Sequence, residues 1–227
     1  MIGDRRVTYR REGLVLAVAV GVIGITFGVL ADAAGFDLAR IVVLSTLVFT
    51  GASQFAAVGV VDGGGSAGAA VGSALLIAAR NALYGPVVAR ALPRRILGRA
   101  VGAHFVIDET TAMASVQADD REAAGAFWFT GVTLWVCWNV GSVAGALLGA
   151  ALGEPEAWGL DAAFPAGFVA LLAPHVRTRP GRVAALGGAT LALMTLPITP
   201  AGVPLMVGAA AVIPAVLIPG SRGGAPS

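Results

Sequence analysis

Leu14-Val15-Leu16-Ala17-Val18-Ala19-Val20-Gly21-Val22-Ile23-Gly24-Ile25-Thr26-Phe27-Gly28-Val29-Leu30-Ala31 decides the fold. No charged or strongly polar side chain interrupts it, and the apolar run continues to about Ala34. That passes the ~18–20 residues that span a bilayer as a helix. Working outward, several further runs between Leu14 and Ile218 approach or pass the same length. Across the chain 57% of residues are hydrophobic and 12% charged, against about 25% charged in soluble domains. A barrel is excluded, because its strands would alternate polar and apolar residues and these runs do not. The fold class is therefore all-α: a polytopic integral membrane helical bundle of about seven or eight hydrophobic segments, some of them broken or re-entrant.

On the N-terminal flank, residues 1–13 carry Arg5, Arg6, Arg10 and Arg11. A cleaved signal peptide would use Ala31-Asp32-Ala33 as its site, but this run is longer than the ~7–15 residues of a signal core. The reading is a basic cytoplasmic N-terminus followed by a membrane helix. Residues 14–219 then form a single transmembrane transporter domain, and 220–227, rich in Gly, Pro and Ser, a disordered tail. Gly24 and Gly28 suit close helix packing, as do Gly141, Gly145, Gly149 and Gly153 in the long run Ala123–Leu152. In that run Trp128 suits an interface anchor, and Asn139 an interhelical hydrogen bond. Val183–Leu196 and Val203–Ile218, joined by Pro197-Ile198-Thr199-Pro200, read as a helical hairpin. Gly35-Phe36-Asp37-Leu38-Ala39 and Gly159-Leu160-Asp161-Ala162-Ala163 hint at an internal duplication, with Asp161 a candidate N-cap.

Several function classes fall away. Cys137 stands alone, so there is no intrachain disulfide. His104 and His175 lie far apart without cysteine neighbours, so no metal site and no cofactor is expected. No phosphate loop, catalytic elbow or zinc-protease motif occurs, so the chain is not read as an enzyme. Its arginines sit in short loops, which topology explains without nucleic acid.

Polar residues inside the apolar runs are the candidate site. Thr50-Gly51-Ala52-Ser53-Gln54 lies within Ile41–Val61; such a string either opens a helix where protein or a water-lined cavity satisfies the freed backbone, or packs ordinarily with Gly51, Phe55 and Gly59 on one face and Gln54 bonded across helices. Arg80-Asn81 and Gly85-Pro86 interrupt Ala67–Ala91. Arg80 either snorkels to an interface or faces a polar interior, where it pairs with Asp108 or Glu109 or holds a substrate carboxylate. Pro86 is expected to kink the segment. His104 through Ala114 carries Asp108 and Glu109. Carboxylates at bilayer depth cost on the order of 3 kcal/mol each and mark a substrate path or proton relay; at the surface the same residues would be a solvated amphipathic helix. As one helix the stretch puts His104, Asp108, Thr111 and Ser115 on a single face. Three plain crossings would place the Arg90, Arg94, Arg95, Arg99 loop opposite the N-terminus, against the positive-inside rule. Either one segment within 38–92 turns back in the membrane or the rule is broken once; the expectation is a turn-back at Arg80-Asn81.

Phe49-Thr50-Gly51-Ala52-Ser53-Gln54-Phe55 resembles the F-x-G-x-x-Q-F signature of the AzlC family of branched-chain amino acid exporters. Ala78 to Gly85 resembles that family's N-x-R-h-x-x-Y-G segment, and Ile107-Asp108-Glu109-Thr110 its T-D-E segment. The order Ala79-Arg80-Asn81 departs from N-x-R, and Ile107 replaces a threonine. The resemblance implies export of branched-chain or similar apolar amino acids across the bacterial cytoplasmic membrane by a secondary transporter. It also implies a small AzlD-type membrane subunit as partner. On this reading Gly51, Ser53, Gln54, Arg80 and Asn81 bind substrate, and Asp108 and Glu109 couple transport to protons. A channel or a structural subunit for small amphiphilic solutes is the alternative.

Overall fold

The computed structural model describes residues 2–152, 169, 172–173 and 175–218, with side chains from Tyr9 onward. Asp161, Gly153 and the 220–227 tail lie outside the described residues. Among those described the chain is helical: α1 (Ile2–Ala33), α2 (Leu38–Leu47), α3 (Gly51–Asp62), α4 (Ala67–Ala78), a 3₁₀ stretch Ala79–Tyr84, α5 (Gly85–Val88), a 3₁₀ turn Ala89–Ala91, α6 (Ile96–His104), α7 (Asp108–Ser115), α8 (Asp120–Leu152), α9 (Arg179–Thr195), α10 (Val203–Ala209) and α11 (Val212–Val216). Three helical paths are long and apolar enough to cross a bilayer: Tyr9–Ala33, Ala67–Ala91 and Asp120–Ala151. The protein is an all-α membrane protein.

The frame is the pair α1–α8. Both glycine series expected to pack do so, and against each other. A Cβ on Gly28 would run into the Ser142 carbonyl and lie 2.9 Å from Gly145 Cα. One on Gly141 would strike the Gly21 carbonyl, and one on Gly145 the Ile25 carbonyl. Lipid tails are as apolar as leucine, so helices in a bilayer associate through close packing rather than by hiding apolar surface. Leaving out these side chains is what brings the backbones together. Gly13 faces Thr130, Gly24 faces Trp138 and Gly149 faces Asp32, so the two helices run parallel. Phe27, Leu134 and Trp138 fill the seam, with the Phe27 and Trp138 rings stacked at 5.5 Å.

Heights on this frame reveal the path of the rest. Asp37 caps α2 through the Arg40 amide (2.8 Å) just beyond the end of α1. By Thr46 the helix lies beside the middle of α8, where Trp135 Nε1 donates to the Thr46 carbonyl (3.2 Å) and the Thr46 hydroxyl to Asn139 Oδ1 (3.0 Å). α3 then heads back: Phe55 meets Phe27 at 5.5 Å. A glycine turn with Gly64 at φ +76 joins α3 to α4. The Ala67–Ala91 span runs to the other end, where Val88 and Ala91 pack with Ala123 and Phe127 of α8 and Arg90 lies 4.0 Å from Asp120. From there α6 climbs to Phe105, beside Trp128, and α7 returns to the start of α8. Arg90 closes the end of α7 by donating to the carbonyls of Ala114 (3.0 Å) and Gln117 (3.0 Å).

Two re-entrant pairs thus enter from opposite ends. The expected turn-back exists, but at Val48–Thr50 rather than Arg80-Asn81. The Ala78–Ala89 backbone stays right-handed helical at each cap position described, and Ala79 to Tyr84 tightens to 3₁₀ instead of reversing. Pro86 sits in the first turn of α5, where its missing N–H costs little. One end of the bundle therefore carries Arg10, Arg11, Arg90, Arg94, Arg95 and Arg99 together. The expected C-terminal hairpin forms from α9 and α10, with Gly188 against Gly208, and it leans on α4 through Met206 and Gly72.

Two outcomes test this frame. Gly145→Val should cost about 3 kcal/mol by overpacking, whereas Gly68→Ala, with only the Ser66 hydroxyl at 3.8 Å, should leave thermal unfolding in detergent unchanged. In a Cys137→Ser background, Arg94→Cys and Asp119→Cys should react with an impermeant maleimide from one side of the membrane and Ser66→Cys from the other. Plain crossings would instead separate Arg94 from Asp119.

Candidate functional site

The two re-entrant tips meet. At the first, α2 ends at Leu47 and Thr50 is extended (φ −151, ψ 96) before α3 begins at Gly51. At the second, α6 ends at His104 and Ile107 is extended (φ −133, ψ 174) before α7 begins at Asp108. Phe49 bridges them, its ring 5.9 Å from the His104 ring and 6.0 Å from the Phe105 ring. Such breaks are tolerated in a membrane only where freed backbone groups find partners. Thr110 supplies them at the second tip: its hydroxyl accepts the Ile107 amide (3.2 Å) and donates to the Phe105 carbonyl (2.6 Å).

This break overturns the single polar face. His104 ends one helix and Asp108 opens the next, so the two do not share a helical face with Thr111 and Ser115. The reason is local: Thr110 satisfies a turn that a continuous helix would not need. Asp108 and Glu109 instead occupy the first turn of α7, where the positive end of the helix dipole favours carboxylates.

Asp108 is the hub of a charged cluster. Arg80 Nη2 lies 2.9 Å from Asp108 Oδ2, and the Tyr84 hydroxyl donates to Asp108 Oδ1 at 2.5 Å. Arg80 and Tyr84 come from the 3₁₀ stretch, and both reach Asp108. A 3₁₀ run inside a long helix often marks a functional hinge. Of the two roles open to Arg80, the structure shows the ion pair. Asn81 lies beside it, its Oδ1 buried without a protein partner, as is Arg80 Nε.

The α3 tip differs in kind. Ser53 and Gln54 are fully buried, and among the described residues both amide atoms of Gln54 lack a partner. A buried unsatisfied polar group costs about 1–3 kcal/mol, and few survive in native proteins. Gly51 lets the tip approach α8: a Cβ there would sit 3.0 Å from Trp138 Cη2. Trp138 Nε1 is buried and unpartnered as well. Among the described residues no hydrogen bond or ion pair joins Ser53 or Gln54 to Arg80, Asp108 or Glu109. The candidate residues form two clusters, linked through the aromatic contact of the tips.

Tyr84 and Trp138 were missed as site residues. Tyr84 was detectable as the i+4 neighbour of Arg80; Trp138 lies 84 positions beyond Gln54, and only packing brings it to α3. The cluster predicts a double-mutant cycle. Arg80→Met leaves Asp108 without its cation and should destabilise more than Tyr84→Phe. Both side chains of the pair are partly exposed, at 40% and 38%, so the Arg80–Asp108 coupling should be about 1 kcal/mol, read from thermal unfolding in detergent as partial recovery in Arg80→Met/Asp108→Leu.

The family model for the AzlC protein matches residues 15–152, more than half of the chain. An uncharacterized membrane protein of Archaeoglobus fulgidus is 30% identical over 202 residues, covering 85% of this chain and 88% of that protein. No solved structure matches. The matched region runs from the first long span to the end of α8 and contains both re-entrant tips: this chain belongs to the AzlC family of membrane proteins.

Proposed function

We propose that the protein exports branched-chain or similar apolar amino acids from the cytoplasm as a proton-coupled secondary transporter. The observation that carries this reading is the meeting of two re-entrant half-helix tips inside the bundle, with an ion-paired carboxylate at one of them. Broken helices of this kind build solute sites in transporters, because their ends present backbone groups and dipoles to a solute. An intramembrane carboxylate supplies a group whose charge changes with a proton. Gly51, Ser53, Gln54 and Asn81 offer polar contacts for the substrate, and Phe49 and Phe105 an apolar surface for a branched side chain.

Asp108 is the coupling residue in this scheme, with Glu109 beside it. Protonating Asp108 weakens its pull on Arg80, loosening α7 from the Ala67–Ala91 span and shifting the balance between inward and outward states. The basic end faces the cytoplasm by the positive-inside rule, which puts the N-terminus there too, in a bacterial cytoplasmic membrane. A small AzlD-type subunit completes the transporter. A channel lined by the same residues would show no saturable counterflow, and a purely structural subunit would tolerate neutral Asp108.

Efflux of preloaded radiolabelled leucine, valine, isoleucine and methionine should rise when the gene is expressed, and rise further with its small membrane partner. Asp108→Asn should lower that efflux about tenfold, the loss of roughly 1.4 kcal/mol of coupling, and flatten its pH dependence. Unchanged efflux and pH profile in Asp108→Asn would remove Asp108 from the coupling step.

A further inference from the structure

The two tips present two helix N-termini at the centre of the bundle, and they are not equivalent. The α7 terminus is already served by its own chain: Asp108 and Glu109 lie in its first turn, and Thr110 bonds the Ile107 amide. The α3 terminus has neither device. Its cap residue Thr50 makes no side-chain bond to the helix backbone, its hydroxyl lying instead 3.4 Å from the Ser53 hydroxyl, and no acid stands in the first turn. The end of this twelve-residue helix, half-buried at Thr50, Gly51 and Ala52 and without a side-chain cap, offers first-turn amides and positive potential to an anion.

Gln54 points to a ligand there independently. It is 0% exposed and both of its amide atoms are unpartnered. Gly51, Gln54 and Phe55 are spaced to share one helix face. Gly51 and Phe55 both touch the Trp138 ring, and Trp138 brings a further buried, unpartnered N–H donor. Arg80, the other candidate for an anion, is engaged by Asp108 at 2.9 Å.

We propose that the α3 tip, with the Gln54 amide and the Trp138 indole N–H, is a carboxylate-binding site, and that Arg80 is not the carboxylate holder. This rests on reading the tip as part of the substrate site, and it names the end of the substrate that the tip receives. Recognition is by neutral donors: backbone amides, an amide nitrogen and an indole N–H. The acid group therefore enters and leaves without forming a salt bridge that would have to be broken in each cycle.

The test uses the full-length protein in lipid nanodiscs with ¹⁵N-labelled indole nitrogens. Four tryptophans are present, and the resonance lost in Trp138→Phe identifies Trp138. Isovalerate carries a branched tail and a carboxylate but no ammonium; isoamylamine carries the same tail and an ammonium but no carboxylate. Isovalerate and leucine should shift the Trp138 resonance saturably, and isoamylamine should not. Gln54→Leu should weaken isovalerate at least about tenfold, the loss of one charge-assisted hydrogen bond. Gln54→Glu places an acid where the ligand's would sit, as α7 already does, and should abolish the shift in a protein that keeps its unfolding temperature. Arg80→Lys should leave isovalerate binding within about twofold. A Trp138 resonance unmoved by any carboxylate, or moved equally by isoamylamine, overturns the proposal and leaves the tip to an ordered water. Isovalerate shifting Trp138 while cells show no amino acid efflux would uphold this site and overturn the exporter reading instead.

Discussion

The backbone-to-backbone contact of α1 and α8 is the constraint on which everything else rests. In a bilayer, apolar side chains gain little by hiding from lipid, so a long helix pair must be held by closeness itself. Gly21, Gly24 and Gly28 on one helix and Gly141 and Gly145 on the other supply it, each facing a backbone carbonyl of the opposite helix. The pairing is parallel, and that has a topological consequence. The chain between the two helices must return to the end from which it started. One full span, Ala67–Ala91, does so, and the four half-length helices α2, α3, α6 and α7 fold back in pairs on either side of it.

Fold and site follow from the same economy. A half-length helix cannot cross the membrane, and its end must stop at mid-depth. There it exposes unpaired backbone groups that hydrocarbon cannot satisfy. Two such ends, brought from opposite sides, shelter each other through Phe49, His104 and Phe105. The polar residues that looked anomalous in apolar sequence, Thr50 to Gln54 and Asp108 to Thr110, are those of the helix ends. Arg80 and Tyr84 tie the second tip to the long span through Asp108, so a change of charge at one carboxylate acts on the joint between two elements of the bundle.

Membrane character, the all-helical class, the glycine seam and the site segments were legible in the chain itself. Each is a local property: run length, small residues every fourth position, or a polar string where hydrocarbon demands apolar side chains. The turn-back was legible only as a necessity of charge. By the positive-inside rule the basic loop from Arg90 to Arg99 belongs with the N-terminus, but a charge at Arg80-Asn81 breaks the apolar pattern more visibly than Val48-Phe49-Thr50 does. Arginine is a good helix former and the span accommodates it; the β-branched and aromatic residues at 48–50 precede a glycine and open the helix.

What the sequence by itself determined is therefore which residues are polar where lipid forbids it, and so which must be buried or functional. Which of them meet was decided only by tertiary structure. Asp108 finds Arg80 and Tyr84, while Gly51 and Phe55 find the ring of Trp138. His104 and Asp108, four residues apart and seemingly on one face, belong to different helices. The physical reason is that a helix break resets the rotational register, so spacing along the chain no longer predicts a shared face. Partners across the bundle are set by the heights at which parallel and re-entrant elements pack.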